Sequence, residues 1–449
     1  MTATVFLRYN FRGKNYFKWR NTVKKRFMSL KTSVFLLQLF SLIAVQLLII
    51  PWRTFYIYAF LNVFLFVVIY SFKGYEVDIL SSLSSCFISY ILGSFFAHLI
   101  MLLIVLLTSV SFSQKMFLVS FLLSAIYFPI ISNILWNIQF KKIKPQYYLV
   151  IGTNERIKAI MAEIEKASLG KIRVYAYTNP HTVAMEEKIK LSAVIDKLLI
   201  ADPSLEPQAQ DLIMQARQNG KRVIYLPHLA EDTLKRIPVE LLELFEEYYK
   251  AVFQREYMPS PAKRILDIAG SIVGLVLFSP LVILISICIL LEDGLPVIFR
   301  QKRIGLNLEP FTIHKFRTMK GENKEAKLAS QEVHRMMKIS KWMRPFRLDE
   351  IPQFYDILIG KMSIVGPRPE QPEFVDRYSA LIPFYSYRHN IKPGLTGWAQ
   401  INYPYSETIE ETRVKLSYDL WYVKNRNILI DLKIILQTLY TVFFKKGGR

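Results

Sequence analysis

The sequence predicts a membrane protein of mixed α and α/β class. We expect a four-helix transmembrane region, a Rossmann-like parallel-sheet module, and a mainly helical carboxyl-terminal domain with a re-entrant membrane helix. Three observations favour this class. Hydrophobic residues occupy 52% of the 449 positions, slightly more than soluble domains usually carry. Four long apolar segments lie in the first third of the chain. Beyond residue 146, short apolar runs alternate with helical patterns, as in parallel-sheet folds.

The chain is also strongly basic. Its 58 Lys and Arg residues outnumber its 36 Asp and Glu residues, which gives a formal net charge of +22. Such a surface suits anionic lipid, phosphate or nucleic acid. Because so much of the chain is apolar, we expect membrane lipids and phosphate-bearing ligands as partners, and no nucleic acid. The two cysteines, Cys86 and Cys288, lie in apolar runs and predict neither a disulfide framework nor a zinc site.

Residues 1–32 form a basic segment without any Asp or Glu, so the positive-inside rule predicts a cytoplasmic amino terminus. Residues 33–140 then hold four apolar segments, each near the roughly 20 residues that cross a bilayer. The segments lie near residues 33–50, 55–72, 86–110 and 116–138. An even number of crossings returns the chain to the cytoplasm. A cleaved signal peptide is the alternative for the first segment, but Pro51-Trp52-Arg53 is not a small-residue cleavage site.

Residues 146–250 predict the Rossmann-like cytosolic module. The apolar run 147–151 ends at Gly152, and a helical pattern follows over residues 155–167. The turn between them reads Gly-Thr-Asn-Glu and lacks the second and third glycines with which dinucleotide-binding folds approach a pyrophosphate. We therefore favour a spacer or regulatory module over a nucleotide-binding domain.

Residues 259–449 open with a Pro-Ser-Pro linker, followed by an apolar stretch within residues 263–292. The stretch could cross a membrane, but basic residues flank both of its ends, and both ends should therefore be cytoplasmic. Ser279-Pro280 lies in its middle, where proline removes a helical hydrogen bond and serine can satisfy a freed backbone group. We predict a bent, re-entrant hairpin. The alternative is a fifth full span with a proline kink.

Three motifs beyond this stretch mix cations with turn residues: KFRTM at 315–319, RPFRLDEIPQ at 344–353 and GKMSIVGPRPE at 360–370. The second contains the acidic pair Asp349-Glu350. Arg368 in the third is held between two prolines, and its guanidinium matches phosphate oxygens. Carboxylates among cations are what phosphoryl transfer requires. The alternatives are a surface salt bridge between Arg347 and Glu350, and a merely rigid Pro-Arg-Pro turn.

These motifs bring a family into view. Residues 260–449 closely resemble the catalytic domain of the bacterial polyprenyl-phosphate sugar-1-phosphate transferases, the large monotopic phosphoglycosyl transferases. The likeness also runs through QKRIG at 301–305, KPGLTGWAQ at 392–400 and the Tyr418-Asp419 region. Four membrane spans and a degenerate Rossmann-like module ahead of this domain are similar to the large members of the family.

The resemblance implies a role for each matching residue. It makes Asp349 the nucleophile and Glu350 a ligand of Mg²⁺, and it lets Lys315, Arg344 and Arg368 contact phosphate. The predicted membrane bend is Ser279-Pro280, and the remaining substrate-binding residues are Arg303, Arg317, Pro367 and Pro369. The sequence departs from the family's usual pattern at Arg347, Asp356 and Lys361, where Ser, Asn and an acidic residue are common.

The resemblance also implies an activity. The protein would transfer a hexose-1-phosphate from a UDP-sugar to polyprenyl (undecaprenyl) phosphate, giving polyprenyl-diphosphate-sugar and UMP through an aspartyl-phosphosugar intermediate. This would be the first membrane step of exopolysaccharide, capsule, O-antigen or S-layer glycan assembly. We expect a homodimer in the bacterial inner membrane, with both termini and the catalytic domain in the cytoplasm.

Two other functions are alternatives. An NAD-dependent sugar-nucleotide oxidoreductase or epimerase would need the glycine fingerprint that the middle module lacks. A non-catalytic membrane scaffold is disfavoured because Asp349, Glu350 and Arg368 are all present. The identity of the sugar is left open, with glucose and galactose expected by analogy.

Overall fold

The computed structural model describes residues 22–49, 55–108, 113–180, 195–254, 260–320, 335–403 and 408–443. Residues 1–21 of the predicted basic segment lie outside this part. The chain forms two compact units, Met1–Leu234 and Lys235–Arg449. The units divide within the predicted Rossmann-like range of 146–250, so its last residues pack with the carboxyl-terminal unit.

The first unit begins with apolar helices. They are α1 (Thr22–Ile49), α2 (Phe55–Ser71), the short α3 (Val77–Leu80), α4 (Leu83–Thr108), α5 (Gln114–Leu122) and α6 (Phe128–Lys141). A π-helical turn, Leu123–Tyr127, joins the last two. Three stretches are long and apolar enough to cross a membrane: Phe27–Ile49, Leu83–Val105 and Gln114–Lys141. Helix α2, with 17 residues, is at the short limit of spanning helices. The described residues of all four predicted segments therefore lie almost entirely in apolar helices, while residues 50, 109 and 110 lie outside the described ranges.

Buried polar side chains connect these helices. Gln38 Nε2 donates to Tyr90 Oη over 3.0 Å and to Ser132 Oγ over 2.6 Å. Gln46 and Asn62 exchange two hydrogen bonds of 2.7 Å. Polar pairs of this kind hold membrane helices together because hydrocarbon offers them no other partner.

The rest of the first unit is the parallel-sheet module. Its elements are β1 (Gln146–Ile151), α7 (Glu155–Ala167), β2 (Ile172–Thr178), β3 (Lys197–Ile200), α8 (Gln210–Gln218), β4 (Arg222–Tyr225) and α9 (Leu226–Leu234). The strand order is β2-β1-β3-β4 with every neighbouring pair parallel, which confirms the predicted parallel sheet. At Gly152, with φ +128°, a Cβ would lie 2.8 Å from the Ile157 side chain. The backbone angle, together with the close approach of Ile157, therefore accounts for glycine at this turn without a nucleotide.

The second unit combines helices with small sheets. Its helices are α10 (Val239–Leu244), α11 (Glu246–Phe253), α12 (Pro261–Asp293), α13 (Lys338–Met343), α14 (Gln353–Leu358), α15 (Pro372–Leu381), α16 (Trp398–Asn402), α17 (Ile409–Asn425) and α18 (Ile428–Phe443). Its strands are the antiparallel pair β5 (Ile298–Ile304) and β6 (Pro310–Phe316) and the parallel pair β7 (Ser363–Val365) and β8 (Gly394–Thr396). Trp398 Nε1 donates to the Lys235 carbonyl over 2.8 Å and Asn390 Nδ2 to the Phe253 carbonyl over 2.7 Å, which fixes α10 and α11 on this unit.

Helix α12 is the apolar stretch for which a re-entrant bend was predicted. It is one helix of 33 residues that continues through Pro280, and Ser279 Oγ donates to the Val276 carbonyl over 2.8 Å. The helix is long and apolar enough to cross a membrane. Val276 and Leu277 near its middle are each 68% exposed. The bend at Ser279-Pro280 stays a prediction.

Both ends of α12 are attached to the same unit. Near its start, Lys263 Nζ lies 3.0 Å from Asp431 Oδ2 and donates to the Val365 carbonyl over 3.0 Å. Near its end, the Glu292 carboxylate accepts from the main-chain nitrogens of Lys338 and Ile339, over 2.6 and 3.1 Å. These contacts tie both polar ends of an apolar helix to one folded body.

Candidate active site

The acidic pair lies in a tight turn between α13 and α14. Leu348–Glu350 forms a 3₁₀ turn, and Arg347 before it has left-handed backbone angles, φ 53° and ψ 28°. Arg347 Nη1 lies 3.6 Å from Glu350 Oε2 and donates to Gln400 Oε1 over 2.8 Å. Arg347 and Glu350 therefore do form an ion pair, but they form it in a tight turn and not on the surface of a regular helix.

Glu350 is buried against cations. Arg368 Nη2 donates to Glu350 Oε1 over 2.7 Å. Burial alone would raise the pKa of Glu350, but the charges of Arg368 and Arg347 and the Arg368 hydrogen bond lower it below its ordinary value. Glu350 is therefore an anion at neutral pH, as a cation ligand must be.

The pKa of Asp349 is shifted the other way. Burial raises it, and the negative charge of Glu350 raises it further, while the charges of Lys315, Arg344 and Arg368 oppose this rise. The environments of Asp349 and Glu350 thus shift their pKa values in opposite directions. Such a difference allows two carboxyl groups in one site to have different chemical roles.

Lys315 is supplied by strand β6, beside β5. Its register partner is Phe299, and Lys315 Nζ lies 5.2 Å from the centre of that ring. Burial and the charge of Arg303 lower the pKa of Lys315 to about 8, although Asp349 and Glu350 favour its charged form. Lys315 is therefore still mostly protonated at neutral pH, but its pKa lies closer to neutrality than that of an exposed lysine.

The Pro-Arg-Pro segment is held by its main chain. The Pro367 carbonyl accepts from Gly394 N over 2.8 Å, and the Pro369 carbonyl accepts from Arg303 Nη1 over 3.2 Å. Arg388 Nη2 donates to the carbonyl of Arg368 over 2.9 Å. The two prolines therefore contribute fixed backbone, and Arg368 is the side chain that reaches the acidic pair.

A layer of buried ion pairs supports this segment, and the sequence reasoning missed it. Arg388 Nη2 lies 2.9 Å from Asp419 Oδ2, with both side chains at most 3% exposed. Glu370, directly after the Pro-Arg-Pro segment, lies 2.7 Å from Lys415 Nζ and 3.9 Å from Arg303 Nη1. Glu370, Arg303 and Asp419 lie in segments with a recognisable motif, whereas Arg388 and Lys415 lie outside any such motif.

The structure does not bring every predicted residue into contact with the acidic pair. Arg317 donates to the carbonyls of Asp293 and Gly294, over 2.8 and 2.7 Å, and so caps the end of α12. Arg344 acts on Asp349 through its charge, while its Nη1 lies 4.0 Å from Met336 Sδ. Ser279 and Pro280 lie within α12.

Asp356, one of the departures from the family's usual pattern, has a structural pairing. Its carboxylate is buried and accepts from His314, over 2.9 Å from the main-chain nitrogen and 2.7 Å from the ring Nδ1. It thereby joins α14 to strand β6.

The donors available for a metal are few. In the described ranges, no group of three or more His, Cys, Asp or Glu side chains could hold a metal ion. Mg²⁺ commonly takes only one or two protein carboxylates and completes its shell with water and substrate phosphates. The ionised Glu350 beside Asp349 fits that mode of binding.

Comparison with known proteins places these features in a family. Residues 258–445 match the bacterial sugar transferase family. A UDP-N-acetylgalactosamine-undecaprenyl-phosphate N-acetylgalactosaminephosphotransferase of Aeromonas hydrophila is 40% identical over 198 residues, 43% of this chain and 47% of that protein. A UDP-glucose:undecaprenyl-phosphate glucose-1-phosphate transferase of Klebsiella pneumoniae is 39% identical over 190 residues, 41% of each chain.

A protein of Caulobacter vibrioides (strain ATCC 19089 / CIP 103742 / CB 15) with the same glucose-1-phosphate transferase name is 38% identical over 181 residues, 39% of this chain and 68% of that protein. The matched region spans less than half of the Aeromonas and Klebsiella relatives. The apolar helices place the chain among membrane proteins, and its acidic pair lies among the charges of Lys315, Arg344 and Arg368. In particular, the chain belongs to the bacterial sugar transferase family.

Proposed function

We propose that this protein transfers a sugar-1-phosphate from a UDP-sugar to undecaprenyl phosphate, giving undecaprenyl-diphosphate-sugar and UMP. The observation that carries the proposal is the acidic pair Asp349-Glu350, whose two carboxyl groups have opposite pKa shifts among the charges of Lys315, Arg344 and Arg368. The names of the relatives support both substrates, because they specify a UDP-sugar donor and undecaprenyl phosphate.

The reaction would proceed in two displacements at one phosphorus atom. In the first, an oxygen of the ionised Asp349 carboxylate attacks the sugar-bearing phosphorus, and the bond to the bridging oxygen breaks, so that UMP leaves with that oxygen and its electron pair. In the second, a phosphate oxygen of undecaprenyl phosphate attacks the same phosphorus, and the bond to Asp349 breaks. A covalent intermediate of this kind divides one difficult step into two easier ones.

The cations of the site have a clear electrostatic task. Phosphoryl transfer concentrates negative charge on the phosphate oxygens, and fixed positive groups stabilise it. The Arg368 side chain pairs with Glu350 and is still 41% exposed, so it is both oriented and accessible. Lys315 and Arg344 act on Asp349 through their charges and would act on a phosphate bound there in the same way.

We also propose that the enzyme uses Mg²⁺, with Glu350 as its protein ligand. Bound there, the ion would neutralise charge on the donor diphosphate. This chain's own contribution is to keep Glu350 ionised, which the charges of Arg368 and Arg347 accomplish.

The lipid acceptor requires a site at the membrane surface. Helix α12 supports this placement, because its exposed face is apolar and both of its ends are attached to the unit that carries Asp349. We propose that α12 enters the bilayer and returns to the same side, and that this side is the cytoplasmic face of the inner membrane. The product would begin glycan assembly, with glucose, galactose or N-acetylgalactosamine as the sugar. The homodimer stays a prediction.

The test uses the purified full-length protein in lipid with Mg²⁺, undecaprenyl phosphate and a panel of UDP-sugars, and it measures UMP release. Asp349→Asn should abolish the release. With a UDP-sugar alone, the unaltered protein should gain the mass of one sugar phosphate at the peptide that contains Asp349. Asp376→Asn, at an exposed carboxylate on α15, is the matched control. Release at the native rate by Asp349→Asn would overturn the proposal.

A further inference from the structure

Three cations meet at a turn near the start of α12. The turn follows α14 and contains Gly360, with φ +86°. A Cβ at Gly360 would lie 3.5 Å from Arg264 Nη2 and 3.5 Å from Lys392 Nζ. Lys361 is the next residue and is exposed. We call Arg264, Lys361 and Lys392 the cationic corner.

The members of the cationic corner differ in their partners. Arg264 donates to the carbonyls of Ile357 and Leu358, over 2.9 and 2.8 Å, and so satisfies the carboxyl-terminal end of α14. Within the part of the chain that the structure describes, the ammonium groups of Lys361 and Lys392 have no hydrogen-bond acceptor and no carboxylate within ion-pair distance. Arg264 is thus a fixed structural group, and the two lysines have charge left to bind a ligand.

The nearby carboxylate is already used. Asp267 favours the charged form of Lys392, but its Oδ1 accepts from Ser363 Oγ and Ile364 N, both over 2.9 Å. Burial lowers the pKa of Lys392, and the charges of Arg264 and Lys361 lower it further. An anion bound between the lysines would relieve this repulsion.

Exposed apolar residues adjoin the cationic corner along the chain. Ile265, next to Arg264 on α12, is 67% exposed, and Ile359, next to Gly360, is 49% exposed. Tyr355, one turn before Ile359 on α14, is 51% exposed. Basic side chains that border exposed apolar residues are typical of a surface at the headgroup level of a membrane.

We propose that Lys361 and Lys392 bind the phosphate of an anionic membrane lipid, whose acyl chains lie along the exposed apolar residues of α12 and α14. The phosphate complements the two unpaired charges, and the apolar border favours a lipid over a soluble phosphate. The site does not depend on the proposed catalytic reaction. It would hold the start of α12 at a fixed depth in an anionic membrane.

The experiment uses the full-length protein in phosphatidylcholine nanodiscs that contain a phosphatidylglycerol analogue with a photoreactive headgroup. After illumination, peptide mapping measures the label on residues 359–361. Each lysine at an anionic surface contributes about fivefold in affinity, so Lys361→Gln with Lys392→Gln should lower the labelling by about 25-fold. Lys166→Gln, at an exposed lysine of α7, makes the same charge change elsewhere and should leave the labelling unaltered.

Folding is checked by the thermal unfolding midpoint of each variant in neutral lipid. If the double variant is unstable, the exposed Lys361→Gln alone should still lower labelling by about fivefold. Equal labelling of the unaltered and lysine variants would overturn the proposal, as would equal labelling by a phosphatidylcholine analogue. Displacement of the lipid by inorganic phosphate would instead assign the corner to a soluble ligand and would also overturn it.

Discussion

Arg388 Nη2 donates a hydrogen bond of 2.9 Å to the main-chain carbonyl of Arg368, so one arginine fixes the backbone of another. The same guanidinium group is paired with the buried Asp419. Since Arg368 in turn donates to Glu350, a chain of contacts runs from a fully buried ion pair to the acidic pair of the candidate site. The position of the partly exposed Arg368 guanidinium therefore depends on the buried Arg388 guanidinium.

The first prediction concerns Arg388 as a positioning residue. Arg388→Lys keeps the positive charge beside Asp419 but loses the planar fork that bonds Asp419 and the Arg368 carbonyl together. Displacement of Arg368 by about 1 Å should lower kcat for UMP release by up to about a hundredfold. Arg377→Lys, at an exposed position of α15, is the control. An unaltered kcat in a folded Arg388→Lys protein would argue against positioning.

The second prediction concerns Glu350 and Mg²⁺. Glu350→Gln removes the ionised group that the Arg368 and Arg347 charges maintain. A weakening of Mg²⁺ binding by about 1.4 kcal/mol would raise the Mg²⁺ concentration for half-maximal UMP release by about tenfold. The measurement is a Mg²⁺ titration of the purified variant in lipid, with Glu373→Gln as control. If the titration curve is unchanged, Glu350 is not the metal ligand.

The third prediction is a pH dependence set by Lys315. Its pKa is lowered to about 8 by burial and by Arg303, so the side chain is cationic below that pH and loses its charge as the pH rises through it. The rate of UMP release should therefore fall above about pH 8. In Lys315→Arg the side chain stays cationic in this pH range. The rate of this variant should therefore not fall above pH 8, whether or not its maximal rate is below that of the unaltered protein. A decline of the same midpoint in both proteins would assign it to another group.

The fourth prediction tests the bend in α12. A cysteine placed at Leu295, which is 78% exposed, should react with a membrane-impermeant thiol reagent from the cytoplasmic side only, once Cys86 and Cys288 are replaced. Pro280→Ala restores a helical hydrogen-bond donor and should move a fraction of the label to the opposite side. Pro261→Ala is the control, because proline in the first turn of a helix leaves the hydrogen bonding intact. Cytoplasmic labelling alone in Pro280→Ala would count against the bend.

The parts of the fold that the sequence predicts are those determined by patterns in short stretches of sequence. Hydropathy located the apolar helices, and the alternation of apolar runs with helical patterns located the parallel sheet, because both signals are contained in short windows. The boundary between the two units could not be predicted from such short windows. A composition break appears at the Pro-Ser-Pro linker, whereas the division before Lys235 depends on contacts with residues as distant as Trp398.

The same distinction holds at the site. Asp349, Glu350, Lys315 and Arg368 lie in motifs that mix charges with turn residues, and the structure gathers their charges. Arg317 lies in such a motif too, but it caps α12, because the carbonyls of a helix end compete for a nearby guanidinium. Arg388 pairs with Asp419, 31 positions away, and Lys415 pairs with Glu370, 45 positions away. No local sequence pattern predicts partners at such separations.

The fifth prediction is a loss of stability in acid caused by Glu370. Burial alone would raise its pKa, but the charges of Lys415, Arg388 and Arg303 and the Lys415 hydrogen bond lower it from 4.5 to about 2. Because the folded pKa lies below the unfolded one, the ionised group stabilises the fold above about pH 4.5, and this contribution is lost as the pH falls towards 2. The shift corresponds to on the order of 3 kcal/mol.

Glu370→Gln should therefore lower the free energy of unfolding at neutral pH. The difference in this free energy between the variant and the unaltered protein should shrink steadily as the pH falls from about 4.5 towards 2. Tryptophan fluorescence during denaturant unfolding of the full-length protein in detergent measures both values. Glu373→Gln, at an exposed position of the same helix α15 that follows Glu370, should differ from the unaltered protein by little at any pH, so a parallel acid dependence in both variants would show that Glu370 is not the cause.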